Sequence, residues 1–425
     1  MNRKKVFVFP CGSEIGLEIY RSLWCAKEVD LWGGSSVPDH GRFVYRQHIP
    51  DIPFESDGSF LDHVNKLIHD QGFDYIIPAH DSVVLRLAEA HHLRSLACRA
   101  LTSPLETCRI ARSKKLTLEH FQGTVPTPRL YTSLADVSSW PVFLKPDVGQ
   151  GSKGTVLASS PQEAQYHLLR GQELLILEYL PGKEYTVDCF TDRNGKLLFA
   201  GGRERRRIAN GISVNTRPAK LNELREVAAK INAKLHFTGM WFFQVKENAG
   251  GELALMEIAP RLAGTMGMYR NLGINFSLMS IYDAEGLDLH PLVNVFDIEM
   301  DRALGGKFKL GIDYTDVYMD FDDCLILDEQ INTQAICFLF QCLNKGVRIH
   351  LITRHAQDVE ETLRKFRLDR MFDSVVTIAG GEKKSAYITG AKAIFIDDSF
   401  SERFDVSTSL GIPVFAPDSI ESLLD

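Results

Sequence analysis

The sequence predicts an α/β protein built from several domains, and three observations carry that prediction. Short apolar strand runs alternate with helix patterns through residues 1–108, a strand-rich stretch follows over 141–260, and alternation returns over 314–425. With 425 residues the chain can bury two or three separate cores. A composition of 44% hydrophobic and 24% charged residues is that of a folded globular protein. A net charge of −7 gives no reason to expect nucleic acid or an anionic membrane as partner. No apolar run approaches the ~20 residues of a membrane span, and Val6–Pro10 is too short for a secretory leader. The eight cysteines lack paired spacing, so reduced thiols in a cytoplasmic enzyme are the simplest expectation.

Taken in order, Val6-Phe7-Val8-Phe9 reads as a buried strand, Gly12–Gly16 as a turn, and Leu17–Trp24 as a helix. Strands at Glu28–Trp32 and Tyr75–Ile77, with a helix near Phe60–His69 between them, predict parallel βαβ crossovers. The first turn lacks the three-glycine dinucleotide fingerprint, so it reads as a tight connection rather than a phosphate loop. His80-Asp81 follows the last of these strands and can line a cleft. A helix ends near Gln122-Gly123, and Pro126-Thr127-Pro128 forms an extended connector.

The strand-rich stretch holds the first chemical centre. Lys145 ends an apolar run and precedes Gly149-Gln150-Gly151-Ser152-Lys153-Gly154, where closely spaced glycines let the backbone fold over phosphate oxygens. Such a loop alone closes ordinary hairpins equally well. Downstream, Leu174–Leu177 leads into Glu178-Tyr179-Leu180, a hinge able to offer backbone groups to adenine, with Glu184 placed for ribose hydroxyls. A hairpin joined through Asn248-Ala249-Gly250-Gly251 would set Gln244 and Glu257 on adjacent strands, as oxygen ligands for magnesium, with Arg261 as a fixed charge for a phosphoryl group. The run Arg203–Arg207 would by default be a solvated surface loop, but the favoured reading is a loop near the substrate whose arginines suit an acidic substrate or the γ-phosphate.

These pieces resemble the ATP-grasp superfamily over residues 1 to 285, most closely its carbamoyl phosphate synthetase-like and carboxylate–amine ligase members. The resemblance rests on Ser113-Lys114-Lys115, Phe143–Pro146, the glycine loop, Glu178-Tyr179-Leu180, Glu184–Asp188, Gln244 and Glu257–Arg261. It implies a pre-ATP-grasp α/β domain (1–108) followed by a two-subdomain ATP-grasp fold (109–300). It also implies ATP held by Lys145, Lys114 or Lys115, Gly151, Ser152, Gly154, Glu178, Tyr179, Leu180 and Glu184, and Mg2+ (or Mn2+) held by Gln244 and Glu257. The implied reaction activates a small carboxylate as an acyl phosphate for attack by an amine. Ala259 stands where the family usually has asparagine, which weakens one of two expected metal positions.

The second centre follows a linker at 301–313. Strand Val317–Met319 ends at Asp320-Phe321-Asp322-Asp323, strand Val347–Ile352 ends at Thr353, Lys383-Lys384 follows, and strand Ala393–Ile396 ends at Asp397-Asp398. Two acids one residue apart at a strand end can supply a nucleophile and a proton shuttle, and a second acidic pair suits magnesium. Residues 314–425 resemble the haloacid dehalogenase-like phosphatases, a Rossmann-like domain. By that resemblance Asp320 is the nucleophile and Asp322 the acid/base. Thr353 and Lys383 or Lys384 hold phosphate, and Asp320, Asp322, Asp397 and Asp398 surround the metal. Leu325–His350 reads as one helix and a turn, too short for a large cap.

The combined expectation is a ligase fused to a phosphatase, acting on a small carboxylate and an amine or on a phosphorylated metabolite. The alternatives are a phosphatase governed by a nucleotide-binding module, and a small-molecule kinase. Dimers are common among similar enzymes, which leaves a homodimer open.

Overall fold

The computed structural model describes residues 3–425 apart from Gln150, Ser152, Gly171, Gln172, Asn210, Leu304, Lys307, Lys309 and Ala356. The chain divides into two compact units, Met1–Gly305 and Gly306–Asp425. No helix among the described residues is long and apolar enough to cross a membrane, and all eight cysteines are free.

The first unit opens with a parallel sheet in the order β3-β2-β1-β4-β5, formed by β1 (Lys4–Phe9), β2 (Val29–Gly34), β3 (Gln47–Ile49), β4 (Tyr75–Pro78) and β5 (Arg99–Ala100). The strands bury apolar runs because helices cover a parallel sheet on both faces. Strand order reverses between the parallel neighbours β1 and β4, so their C-terminal ends open a crevice. Helix Glu14–Leu23 starts at that crevice, capped by the Ser13 hydroxyl, which accepts from the Gly16 amide at 3.0 Å. Helix Asp81–His92 starts there too, after β4.

Two antiparallel sheets follow. The smaller has the order β6-β9-β7-β8, from β6 (Leu130–Tyr131), β7 (Val142–Pro146), β8 (Val156–Ala158) and β9 (Leu174–Glu178). The larger has the order β14-β13-β10-β11-β12-β15, from β10 (Glu184–Thr191), β11 (Leu197–Ala209), β12 (Ile212–Pro218), β13 (Gly239–Glu247), β14 (Leu253–Ala259) and β15 (Met300–Asp301). The expected linker at 301–313 thus begins inside the last strand of this sheet. One core cluster joins Val6, Val8 and Ile77 of the parallel sheet to Phe242, Ala259 and Met268.

The arginine run is strand rather than loop. It lies in β11, where alternation turns Arg203 and Arg205 inward and Arg206 outward. Buried Asp188 takes Arg203 in a two-pronged pair at 2.8 and 3.2 Å, and Glu184 takes Arg205 at 2.8 Å. Partners on the neighbouring strand let charge enter the sheet.

The second unit is a parallel sheet in the order β20-β19-β16-β21-β22, from β16 (Asp316–Met319), β19 (Arg348–Thr353), β20 (Ser374–Thr377), β21 (Ala393–Ile396) and β22 (Val414–Phe415). The stretch read as one helix and a turn contains helix Thr333–Lys345 and, before it, a small hairpin of β17 (Ile326–Leu327) and β18 (Gln330–Ile331). Asp328 and Glu329, at φ 47° and 60°, make its turn without glycine, so the sequence carried no turn signal there.

One glycine is fixed by close approach. A Cβ on Gly16 would lie 2.3 Å from the Cys11 carbonyl oxygen, and neither backbone segment can yield cheaply. Gly16→Ala is expected to destabilise the protein by roughly 1–3 kcal/mol, measurable by urea unfolding.

Candidate active sites

In the first unit two cavities meet. The smaller, about 180 Å³, lies between the antiparallel sheets and is lined by Phe143, Lys145, Glu178, Tyr179, Leu180 and Glu184 among others. The larger, about 750 Å³, opens towards the β1/β4 crevice and is lined by Ser13, His80, Asp81, Arg203, Arg261 and Arg302 among others. Lys114, Gly151, Lys153, Arg205, Gln244 and Glu257 border both.

Strand register brings the acid and amide together. Gln244 of β13 pairs directly with Glu257 of β14, and a bulge at Gln244/Val245 follows. The Glu257 carboxylate accepts no hydrogen bond from a described residue, while Lys114, Lys145, Arg205 and Arg261 all feel its charge. An acidic oxygen donor left uncommitted among cations, beside an amide oxygen, fits a hard divalent ion that carries phosphates.

Lys145 is 6% exposed at the end of β7, and its ammonium reaches the Met256 carbonyl at 3.5 Å. Burial lowers its pKa to about 8 against the pull of Glu257. Lys114 is also lowered by burial, and it donates to the carbonyls of Asp147 and Gly149 at 3.1 and 3.3 Å. Lys115 is exposed and borders neither cavity; its backbone amide and the Ser113 hydroxyl both donate to the Asp147 carboxylate. Gly154, at φ 73°, turns the loop without lining either cavity. Ser152, like Gln150 and Asn210, lies outside the described residues. Arg261 is held by both oxygens of Asp81, at 2.6 and 2.8 Å. Burial would push the Asp81 carboxyl up, but Arg261 and Arg112 hold it below its ordinary value.

Sequence reasoning passed over several lining residues. Lys153 borders both cavities and Arg112 the larger, and neither has a carboxylate partner among the described residues. Lys153 sits inside the glycine loop, so proximity to the motif was a signal available from the sequence. Arg112 and Arg302 had none, since only tertiary folding brings them there.

In the second unit the sheet reverses between β16 and β21, and Asp320 and Asp397 follow those two strands. Carboxylate oxygens of Asp320, Asp397 and Asp398 lie within 4.8 Å of one another. Lys384 bridges the first two, its ammonium 2.8 Å from Asp320 and 2.6 Å from Asp397. Burial raises the Asp320 carboxyl to about 6, with Lys384 pulling it down and Asp397 pushing it up. Convergent carboxyl oxygens sharing one cation fit a divalent ion. Thr353 ends β19 fully buried, its hydroxyl oxygen accepting from the His355 amide at 3.0 Å. Lys383 is 71% exposed and pairs with Asp405 instead. Asp322 stands outside the carboxylate cluster: its side chain is half exposed and is taken by the His355 ring. His355 was missed, lying two residues past Thr353 with no motif of its own.

A further grouping of Cys11, Asp39 and His48 is closed by the Ser35 hydroxyl, which lies 3.3, 2.8 and 3.1 Å from the three side chains. It is a satisfied core network.

Residues 170–300 match a family described as "ATP-grasp in the biosynthetic pathway with Ter operon". No curated protein matches the chain. Among solved structures, N5-carboxyaminoimidazole synthetase of Staphylococcus aureus superposes with a TM-score of 0.56 at 17% identity, over 69% of this chain and 82% of that one. An L-amino acid ligase from Bacillus licheniformis gives 0.52 at 17% identity, over 67% and 74%. A pyruvate carboxylase of Rhizobium etli gives 0.56 at 15% identity, over 68% of this chain but only 29% of its own length. At these identities the likeness is one of fold: the chain contains an ATP-grasp-like α/β fold.

Lys145 yields a prediction with opposite effects on stability and binding. Its depressed pKa means that the folded protein holds fewer protons than the unfolded chain between about 8 and 10.5, so the cost of burying the charge is fully present below about 8. Lys145→Met is expected to raise stability at pH ~7 by roughly 1–3 kcal/mol while weakening the binding of polyanions in the cavity. The gain should fade as pH rises through that window, which thermal unfolding across pH would show.

Proposed function

We propose that the first unit is an ADP-forming ligase using ATP and Mg2+, which activates a small carboxylate as an acyl phosphate and passes it to an amine. The observation that carries this reading is the Gln244/Glu257 pair, set among Lys114, Lys145 and Lys153 where two cavities meet. The smaller cavity, with Phe143, Leu177 and Leu180 as apolar walls and Glu178–Leu180 as hinge, suits the nucleoside. Lys114, Lys145 and Gly151 would take the phosphates, and Gln244 and Glu257 would hold the ion, which supplies charge neutralisation between phosphate oxygens. The larger cavity is the place for the acid. Its uncompensated Arg112, and Arg203, whose buried Nη1 has no acceptor among the described residues, support an anionic substrate. Arg261, oriented by Asp81, would steady the transferred phosphoryl group. Ala259, buried in the core, offers no ligand, so one metal position relies on water.

The second unit is read as an aspartate-nucleophile phosphatase of the haloacid dehalogenase-like kind. Its support is the Asp320–Lys384–Asp397 bridge at the sheet's reversal point. Asp320 attacks phosphorus, Lys384 and Thr353 steady the phosphate oxygens, and Asp322 carries the leaving group's proton. Asp397 and Asp398, with Asp320, would hold Mg2+. The hairpin β17–β18 has only two residues in each strand, too short for a large cap, which favours a large substrate or a phosphate presented by a macromolecule.

The two activities should separate by mutation. Asp320→Asn is expected to cut hydrolysis of p-nitrophenyl phosphate by roughly 1,000-fold or more and to leave ADP formation intact. Glu257→Gln should do the reverse. ADP release by the Asp320→Asn protein, screened against pooled amino acids, amines and small carboxylates, should require two co-substrates. Release with a single hydroxylated co-substrate would replace the ligase by a kinase, and no release from any pool would leave only the phosphatase.

A further inference from the structure

His355 is held from three sides. Its ring Nδ1 lies 2.9 and 3.0 Å from the two Asp322 oxygens, and its Nε2 lies 3.2 Å from the Thr362 hydroxyl. It meets the Phe321 ring edge to face, with centroids 5.0 Å apart at 69°. The Thr362 hydroxyl donates to the Asp358 carbonyl at 2.9 Å, so it accepts from the imidazole, and Nε2 is the nitrogen that carries hydrogen. Nδ1 is thereby turned to Asp322 alone. The ring is 14% exposed while the Asp322 side chain is 51% exposed, on a turn continued by Asp323 at φ 52°. Without the histidine nothing else among the described residues would hold that carboxyl group. The same residue's backbone amide donates to Thr353 Oγ1, which ties the ring to a residue of the phosphate site.

Resting on the reading of the second unit as a phosphatase, we propose that His355 is a positioning residue that locks Asp322 in the orientation from which it moves the proton of the leaving group. In the first half-reaction an Asp320 oxygen forms a bond to phosphorus as the ester P–O bond breaks, and the departing oxygen takes the proton of the Asp322 carboxyl. In the second, a water oxygen bonds to phosphorus as the Asp320–phosphorus bond breaks, and the water's proton returns to the Asp322 carboxylate. Nδ1 faces Asp322 through both half-reactions, and the Nε2–Thr362 bond keeps the ring from flipping.

The test is kcat/KM of the full-length protein on two esters, one with an alkyl leaving group and p-nitrophenyl phosphate. An alkoxide cannot leave unprotonated, whereas a nitrophenolate can. His355→Ala should lower kcat/KM on the alkyl phosphate by roughly 100-fold and on p-nitrophenyl phosphate by less than about 3-fold. His355→Asn, which keeps a polar group able to hydrogen-bond the Asp322 carboxyl group near the Nδ1 position, should recover most of the loss. In an Asp322→Asn background His355→Ala should cost nothing more, because its effect runs through Asp322. Equal losses on both esters, or further loss in that background, would overturn the assignment and make His355 a packing residue. No loss on either ester would remove it from the reaction. If the folded wild-type protein hydrolyses neither ester, the phosphatase reading itself falls.

Discussion

The first unit is organised around cations buried without enough carboxylate to balance them. Lys145 sits in the interior with a lowered pKa, Lys114 is lowered as well, and Glu257, ahead of Asp147, is the carboxylate whose charge reaches both most strongly. Proteins rarely bury an ammonium without a partner, since desolvation costs several kcal/mol. The arrangement makes physical sense if the balancing charge arrives with a polyanion and its metal ion. Sheet geometry enforces it: β7 delivers Lys145, β13 and β14 deliver Gln244 and Glu257 in register, and the strand partners Asp188 and Glu184 keep Arg203 and Arg205 from collapsing onto Glu257.

The second unit solves the same problem with the opposite sign. Carboxylates converge at the reversal point of a parallel sheet, and Lys384 is the cation drawn between two of them. Burial raises the Asp320 carboxyl, with the Asp397 charge adding to the rise, and a divalent ion would favour its charged form. The first unit carries its imbalance between two antiparallel sheets, and the second at the C-terminal edge of parallel strands, where an α/β sheet places ligands.

Much of this was readable from the sequence, because both centres sit at strand ends where apolar runs stop abruptly at polar residues. The Gln244/Glu257 register followed from a short polar turn, Asn248–Gly251, between two apolar strands. The choice between neighbouring lysines was not readable: Lys114 and Lys384 turn inward, Lys115 and Lys383 outward, and which of two adjacent residues faces a site depends on backbone rotation that composition does not encode. Arg203 and Arg205 were expected on a loop near the substrate and lie instead on a strand beside the larger cavity, because a run of charge hides its strand until the partners that absorb it are known. Arg112, Arg302 and His355 reach their sites through tertiary packing alone.

The central claim is that Lys145 is buried for an anion, and proton-linked calorimetry tests it directly. Mg·ATP titrated into the protein near pH 8, in buffers of differing ionisation enthalpy, should bind with net proton uptake, because the incoming phosphates return Lys145 to its charged form from a pKa of about 8. That uptake should disappear in Lys145→Met. Binding without proton uptake, or no binding of Mg·ATP at all, would contradict the account.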